Sequence, residues 1–245
     1  LLLINAGSGR FSNVSAARLP QTNRDSEDVG IADFDGDNDL DIIIVTEDDL
    51  INELYLNDGN GVFTDASDRI PVTGRSNAVL VADINNDERA DILIGNNGQN
   101  VVLINNGNGR FVDETAQRLV ALNDVTQDLE LGDADGDGDM DLLVANEGAN
   151  RLWLNNGQGV FSEARELPLR SSAEETREAD FGDIDDDGDL DILFANTRIF
   201  VAAAEPQNRM LLNDGSGFFS DVTSTHLPAD QDITMVGDFI DVDGD

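Results

Sequence analysis

The sequence predicts an all-β protein built of four-stranded antiparallel repeats, and three observations carry that reading. A carboxylate-dense segment recurs four times at a fixed interval of 50 residues: DFDGDNDLD from Asp33, DINNDERAD from Asp83, DADGDGDMD from Asp133 and DIDDDGDLD from Asp183. Each interval holds four short apolar stretches separated by turn residues, without the 3.6-residue periodicity of helices. An Asn-Gly turn followed by phenylalanine also recurs through the chain. A fixed period of this length identifies a repeat architecture.

The third unit shows the elements in order. Leu129 and Leu131 alternate with Glu130 and Gly132, a strand leading into the acidic segment. Met140 to Ala145 is apolar and β-compatible, and Leu152-Trp153-Leu154 follows. The turn Asn155 to Gly159 then leads into Val160-Phe161-Ser162. We name these strands A to D from the inside outward, with the acidic loop joining A to B and the Asn-Gly turn joining C to D. Both connections then open on the same face. The turn recurs at Asn5, Asn57, Asn105 and Asn213, and its two glycines supply the positive φ that a tight hairpin needs. Phe11, Phe63, Phe111, Phe161 and Phe219 are expected to act as core wedges between units, since stacking requires a large apolar residue in each. Trp153 and Tyr55 share one place in strand C with Leu103 and Leu211, which points to packing.

Four antiparallel strands in about 40–50 residues form the blade of a β-propeller. A parallel β-helix would need shorter coils, and a helical solenoid would need helical periodicity. The chain is therefore expected to be one propeller domain over 1–245. Full blades cover 27–72, 73–122, 123–172 and 173–230, with partial blades at 1–26 and 231–245. A cut-off fifth acidic copy begins at Asp241, 58 residues after the fourth, so the chain reads as a fragment of a longer protein.

Oxygen-bearing side chains at loop positions 1, 3, 5 and 9 indicate a hard divalent cation, with Ca²⁺ the first candidate. In the first loop these are Asp33, Asp35, Asp37 and Asp41. Four carboxylates a few ångströms apart repel by about 1 kcal/mol per pair in water, and more at a lower effective dielectric. Calcium accepts 6–8 oxygens in flexible geometry, whereas Mg²⁺ demands a strict octahedron. An EF-hand would place a bidentate glutamate at position 12, but Ile44, Ile94, Val144 and Phe194 stand there, between β-like runs. The remaining candidate ligands are Asp83, Asn85, Asp87 and Asp91; Asp133, Asp135, Asp137 and Asp141; Asp183, Asp185, Asp187 and Asp191; and Asp241, Asp243 and Asp245. The second loop is expected to be weakest, since Asn85 replaces a carboxylate, Glu88 fills position 6 and Arg89 adds a cation. About four calcium sites are expected, and a fifth if the chain continues beyond Asp245.

The order D-x-D-x-D-x-x-x-D in an A–B hairpin, then N-x-G-x-G-x-F one hairpin later, resembles the FG-GAP/VCBS repeat. That family includes the propeller of integrin α subunits and many bacterial cell-surface proteins, and the resemblance covers essentially the whole chain. It implies a calcium-stapled propeller, usually of seven blades, with an extracellular adhesion or recognition role. It also implies a backbone carbonyl ligand at position 7, here Asp39, Arg89, Asp139 and Asp189. Gly138 and Gly188 match the family's preference for glycine at position 6, and Asn38 tolerates positive φ there. A shared fold names no ligand.

Composition agrees. The chain has 51 acidic against 14 basic residues, a formal charge of −37, and the five loops hold 23 of those acids. The remainder favours solubility and repels nucleic acid and anionic membrane. The absence of cysteine excludes disulfides and thiolate chemistry. No apolar run reaches the roughly 18 residues of a membrane span. The lone histidine, His226, reads as a surface residue, and no nucleophile elbow or phosphate loop accompanies it, so no enzyme activity is expected. The expected role is a secreted or cell-surface module of adhesion, matrix or filament. Its partner is a protein, a glycan or another copy of itself, and the alternative is a calcium-dependent lectin. One irregular segment, 197–207, lengthens the fourth B–C connection by eight residues on the face opposite the acidic loops. Its run Ile199-Phe200-Val201-Ala202 is either a contact site or a cover folded over that face.

Overall fold

The computed structural model describes residues 1–163, 167–168, 174–229, 231 and 233–240. A two-stranded hairpin, β1 (Leu3–Asn5) and β2 (Phe11–Asn13), precedes four antiparallel meanders. The first contains β3 (Ser26–Ala32), β4 (Asp41–Thr46), β5 (Glu53–Asn57) and β6 (Phe63–Asp65). The second contains β7 (Ser76–Ala82), β8 (Asp91–Gly98), β9 (Val101–Asn105) and β10 (Phe111–Asp113). The third contains β11 (Asp124–Gly132), β12 (Asp141–Asn146), β13 (Arg151–Asn155) and β14 (Phe161–Glu163). The fourth contains β15 (Thr176–Gly182), β16 (Asp191–Asn196), β17 (Arg209–Asn213) and β18 (Phe219–Asp221). This is an all-β, propeller-like fold, with each of the four described acidic loops in an A–B hairpin.

Two features of the sheets are not evident from the apolar pattern. β8 runs past its own blade and pairs with β11, Asn97 opposite Val125, so the second and third blades share one sheet. Every A strand also carries a bulge, after Ser26, Ser76, Thr126 and Thr176. The extra residue of a bulge is left unpaired and its side chain re-aimed. Gln127 and Arg177 use this freedom to meet each other, Arg177 donating to Gln127. A one-turn helix follows three of the D strands and β2, at Ser15–Arg18, Ser67–Arg69, Thr115–Arg118 and Thr223–His226. Its first N–H is capped by Asn13, Asp65, Asp113 or Asp221.

Period-2 alternation gives each blade two apolar faces. Ile43, Val45, Leu54 and Leu56 of the first blade pack on Val79, Ile92, Ile94 and Leu103 of the second. Leu93 and Val102 on the second blade's other face meet Leu129, Leu142, Val144 and Trp153 of the third. Trp153 and Tyr55 are both buried, opposite Leu142 and Ile42, in the register held by Leu103 and Leu211 elsewhere. Val29 and Ile31 are exposed, although Val79 and Leu129 at the place of Val29 are buried and Val81 and Leu131 at the place of Ile31 are half-buried. Among the described residues, only the two-stranded β1–β2 sheet precedes their blade.

The phenylalanine wedges divide. Phe111 and Phe161 are buried, and Phe111 meets Phe34 edge-on with ring centroids 5.7 Å apart. Phe63 and Phe219 are half-buried. Phe11 is 61% exposed and is not a core wedge. Phe111 packs on Phe34 in the acidic loop of the preceding blade, and among the described residues Phe11 has no such loop to pack on.

Polar bonds also tie blade to blade. Asp28 accepts from Val79 N at 2.9 Å, Asp128 from Ala179 N at 3.0 Å, and Glu178 from Gly237 N at 2.6 Å. These acids cluster along the inner strands. Burial, with the help of Asp128, Asp180 and Glu178, pushes Glu130 up to about 7, and burial pushes Asp128 up to about 6. A carboxyl raised in the folded state gives stability that is complete below its unfolded pKa and is lost as pH rises through the folded value. The chain should therefore lose stability between about pH 4 and pH 7 from these groups. Thermal melts of Glu130→Gln should show a gain at pH 8 that shrinks by pH 5; an equal change at both would count against this origin.

Candidate metal centres

Each acidic loop is assembled by its own carboxylates. The position-9 aspartate is buried in all four blades and accepts two backbone N–H bonds. Asp41 takes Phe34 N at 2.9 Å and Asn57 N at 2.8 Å. Asp91, Asp141 and Asp191 repeat this with Ile84 and Asn105, Ala134 and Asn155, and Ile184 and Asn213. The loop's second residue and the end of strand C are thus bracketed by one side chain. Burial pushes Asp91 and Asp141 up to about 6 and also raises Asp41 and Asp191.

Position 1 holds the turn closed. Asp33 accepts from the N–H groups of Gly36, Asp37 and Asn38, and Asp83 and Asp183 do the same at the fifth and sixth positions. This closure requires positive φ at positions 4 and 6. Gly36, Asn86, Gly136 and Asp186 adopt it at position 4, and Asn38, Glu88, Gly138 and Gly188 at position 6. The requirement at position 4 has its own sequence trace, since Gly or Asn fills three of the four copies.

The position-7 aspartates turn their side chains aside, away from the ligand set. A Cβ on Gly59, Gly157 or Gly215 would collide with the carboxylate of Asp39, Asp139 or Asp189. The positive φ of these glycines, +78° at Gly59, +74° at Gly157 and +77° at Gly215, is what favours glycine in the Asn-Gly turns of those three blades.

Three clusters bring acid oxygens within 4.8 Å of one another: Asp33, Asp35 and Asp37; Asp133, Asp135 and Asp141; and Asp183, Asp185 and Asp191. Oδ1 of Asp35, of Asp133 and of Asp135 is buried without a hydrogen-bond partner. Burial, then the neighbouring Asp37 or Asp137, raises the pKa of Asp35 and of Asp135. An unpaired buried carboxylate oxygen is costly, and a cation among oxygen ligands removes that cost. The donor set is all oxygen, so the first and third loops fit calcium. Asp137 and Asp187 complete the expected ligand positions of the third and fourth loops, each accepting from the position-7 N–H.

The second loop differs. Arg89 donates to Asp87 at 2.5 Å and to the Asn105 carbonyl at 2.8 Å, and Asn85 accepts from Asp87 N. Among the described residues, Asp83, Asp87 and Asp91 form no such acid cluster. The Arg89 guanidinium supplies Asp87 with a positive charge from within the loop, so this carboxylate has less need of a metal. Asp241, Asp243 and Asp245 lie outside the described residues.

One repeated arginine escaped the sequence reading. Arg18, Arg69 and Arg118, in the one-turn helices, donate to the turn carbonyls of Asn60, Asn108 and Gln158 in the next blade. The pairs Arg18-Leu19, Arg69-Ile70 and Arg118-Leu119, each a few residues after a recurring phenylalanine, carried that signal. His226 occupies the same place in the fourth unit and is exposed, with Thr225 on its Nδ1 at 2.8 Å.

The long B–C segment is anchored and also projects. The buried Glu175 carboxylate accepts from Phe200 N and Val201 N, and Arg177 lies 4.6 Å above the Phe200 ring. Burial alone would raise Glu175, but those two amides and Arg177 hold it below the usual carboxylate range. Phe200 is nonetheless 71% exposed and Ile199 47%.

A profile described as FG-GAP-like repeat matches residues 1–44, 33–94, 83–144 and 133–194. The chain belongs to the FG-GAP-like repeat family. A search of curated proteins finds no match. Among solved structures, the chain is similar to an Agrocybe aegerita lectin that recognises non-reducing terminal N-acetylglucosamine, at 24% identity and a TM-score of 0.50. That likeness covers 78% of this chain and 49% of the lectin, so the chain spans about half the lectin's length. It is also similar to BBS1N from its complex with ARL6DN, at 15% identity and a TM-score of 0.50, over 80% of this chain and 56% of that one. Both likenesses concern the fold.

The loop geometries lead to an expected order of metal occupancy. Asp135→Ala and Asp185→Ala should each abolish one calcium equivalent in isothermal titration, while Asp87→Ala should leave the stoichiometry unchanged. A lost equivalent in Asp87→Ala alone would reverse the ranking.

Proposed function

We propose that this chain is a calcium-stapled propeller module that acts by binding, not by catalysis, in a secreted or surface-exposed adhesion, matrix or filament-forming protein. The observation that carries the calcium reading is the set of buried, unpartnered oxygens of Asp35, Asp133 and Asp135 in clusters made only of oxygen donors. Membership of the FG-GAP-like repeat family supports it. The candidate ligands are Asp33, Asp35, Asp37 and Asp41 in the first loop, with their counterparts in the third and fourth. Bound calcium would supply positive charge where the carboxylates repel. The boundaries proposed for the blades follow the 50-residue period.

Metal that binds the folded loops and not the extended chain stabilises by mass action. Extracellular calcium modules bind at roughly 10⁻⁴–10⁻³ M. The melting temperature in millimolar calcium should then exceed that in EDTA by several degrees, and coincident melts would refute the calcium reading.

The projecting Ile199 and Phe200 are the proposed contact surface for a protein partner. They stay exposed while Glu175 and Arg177 fix the loop beneath them, which favours a contact site over a cover. Replacing both with Ser should weaken partner capture or self-association and leave the melting temperature within error. A lowered melting temperature with intact association would assign them to the fold instead.

A lectin role is the second reading, favoured by the fold shared with the N-acetylglucosamine-binding lectin. Tyr55 and Trp153 are buried, so neither offers a stacking platform for a sugar. Calcium-dependent signal on a glycan array would support this reading over the structural one.

A further inference from the structure

We propose that Asn105 and Asn213, neither of them a metal ligand, position the metal-binding loops of the preceding blades. This rests on the calcium reading of those loops.

Phe34 joins Asp33 to Asp35, and Ala134 joins Asp133 to Asp135, so each of these residues links ligand positions 1 and 3. Its N–H is held within the blade, by Asp41 for Phe34 and by Asp141 for Ala134. Its carbonyl is held from the next turn of the propeller. The Phe34 carbonyl accepts Asn105 Nδ2 at 2.9 Å and Gly109 N at 2.9 Å, and the Ala134 carbonyl accepts Asn213 Nδ2 at 2.8 Å. Both asparagines are buried, and each spends the rest of its amide on its own blade, donating to Ala90 or Leu190 and accepting from Gly107 or Gly215. The residue between two ligands is therefore clamped from both sides, once locally and once across an interface.

The loops clamped in this way are the two that carry the unpartnered carboxylate oxygens. The second loop is tied differently. Its own Asn86 reaches out to the Gly157 carbonyl at 3.2 Å, while Asn155 of the third blade keeps its amide within that blade, on Met140. The second loop is also the one whose Asp87 is taken by Arg89.

Carboxylates crowded into one turn repel and favour an opened loop. Fixing the peptide between two of them on both sides lowers the ordering cost of binding, as hydrogen bonds to metal ligands do in other sites, where losing one costs roughly 10–100-fold in affinity. Because the clamp crosses an interface, calcium in one blade and docking of the next are thermodynamically linked and reinforce each other.

Asn105 gives the cleaner test, because its own blade holds the arginine-blocked loop. Hydrogen exchange of the full chain, followed by mass spectrometry through a calcium titration, reads the first and third loops separately. Asn105→Ala should shift the calcium midpoint for protection of residues 33–41 upward by roughly tenfold or more, and leave the midpoint for 133–141 unchanged. Asn105→Asp keeps the acceptor for Gly107 but loses both donors, and should reproduce the shift even if the alanine variant melts early. An unshifted midpoint at 33–41 in Asn105→Asp, or an equal shift at both loops, would overturn the proposal. Calcium-independent exchange at both loops of the unaltered chain would instead remove the metal reading beneath it.

Discussion

A buried carboxylate with both oxygens committed to backbone N–H groups is the constraint on which each blade depends. Asp41, Asp91, Asp141 and Asp191 join the acidic loop to the end of strand C, and both connections thereby acquire fixed relative positions. Burying a charge is unfavourable unless it is bonded on every side. Two amides compensate part of that cost, and the raised pKa of these groups shows that they do not compensate all of it. The remaining deficit is what a dication beside Asp141 or Asp191 would relieve.

The interfaces between blades repeat a similar economy. Their apolar centre, two inward sets from alternating strand residues, is generic and tolerates Tyr55, Trp153 or leucine at one register. Their specificity comes from polar groups at fixed heights. A strand-A acid receives an N–H of the next blade, and a one-turn-helix arginine reaches the next turn. Groups of this kind lose their water on docking and are tolerated only in one register, so they select it.

The fourth blade departs furthest from the repeat in its B–C connection. Its long B–C segment is held by buried charge, with Glu175 and Arg177 beneath it, so a projecting apolar tip is carried on a rigid base. Repeated loops serve the fold equally in every blade. A rigid exception exposed to solvent is where recognition can be added without disturbing them.

The sequence by itself determined the period, the order of strands, the Asn-Gly turns and the placing of the acidic loops between strands A and B. These depend on local signals, alternation over two residues and turn chemistry over five, that recur four times and reinforce one another. It also flagged Arg89, two residues from Asp87, although only the folded loop directs that guanidinium onto the carboxylate. The tertiary structure alone decided the rest. The exposure of Phe11 and the projection of Phe200 depend on what lies against each side chain, and spacing carries no record of that. Likewise Asn105 lies 71 residues from Phe34, and Asn213 lies 79 from Ala134. Contacts over such separations exist only once neighbouring blades have docked, which is why an asparagine that reads as turn chemistry in its own blade also fixes the loop of another.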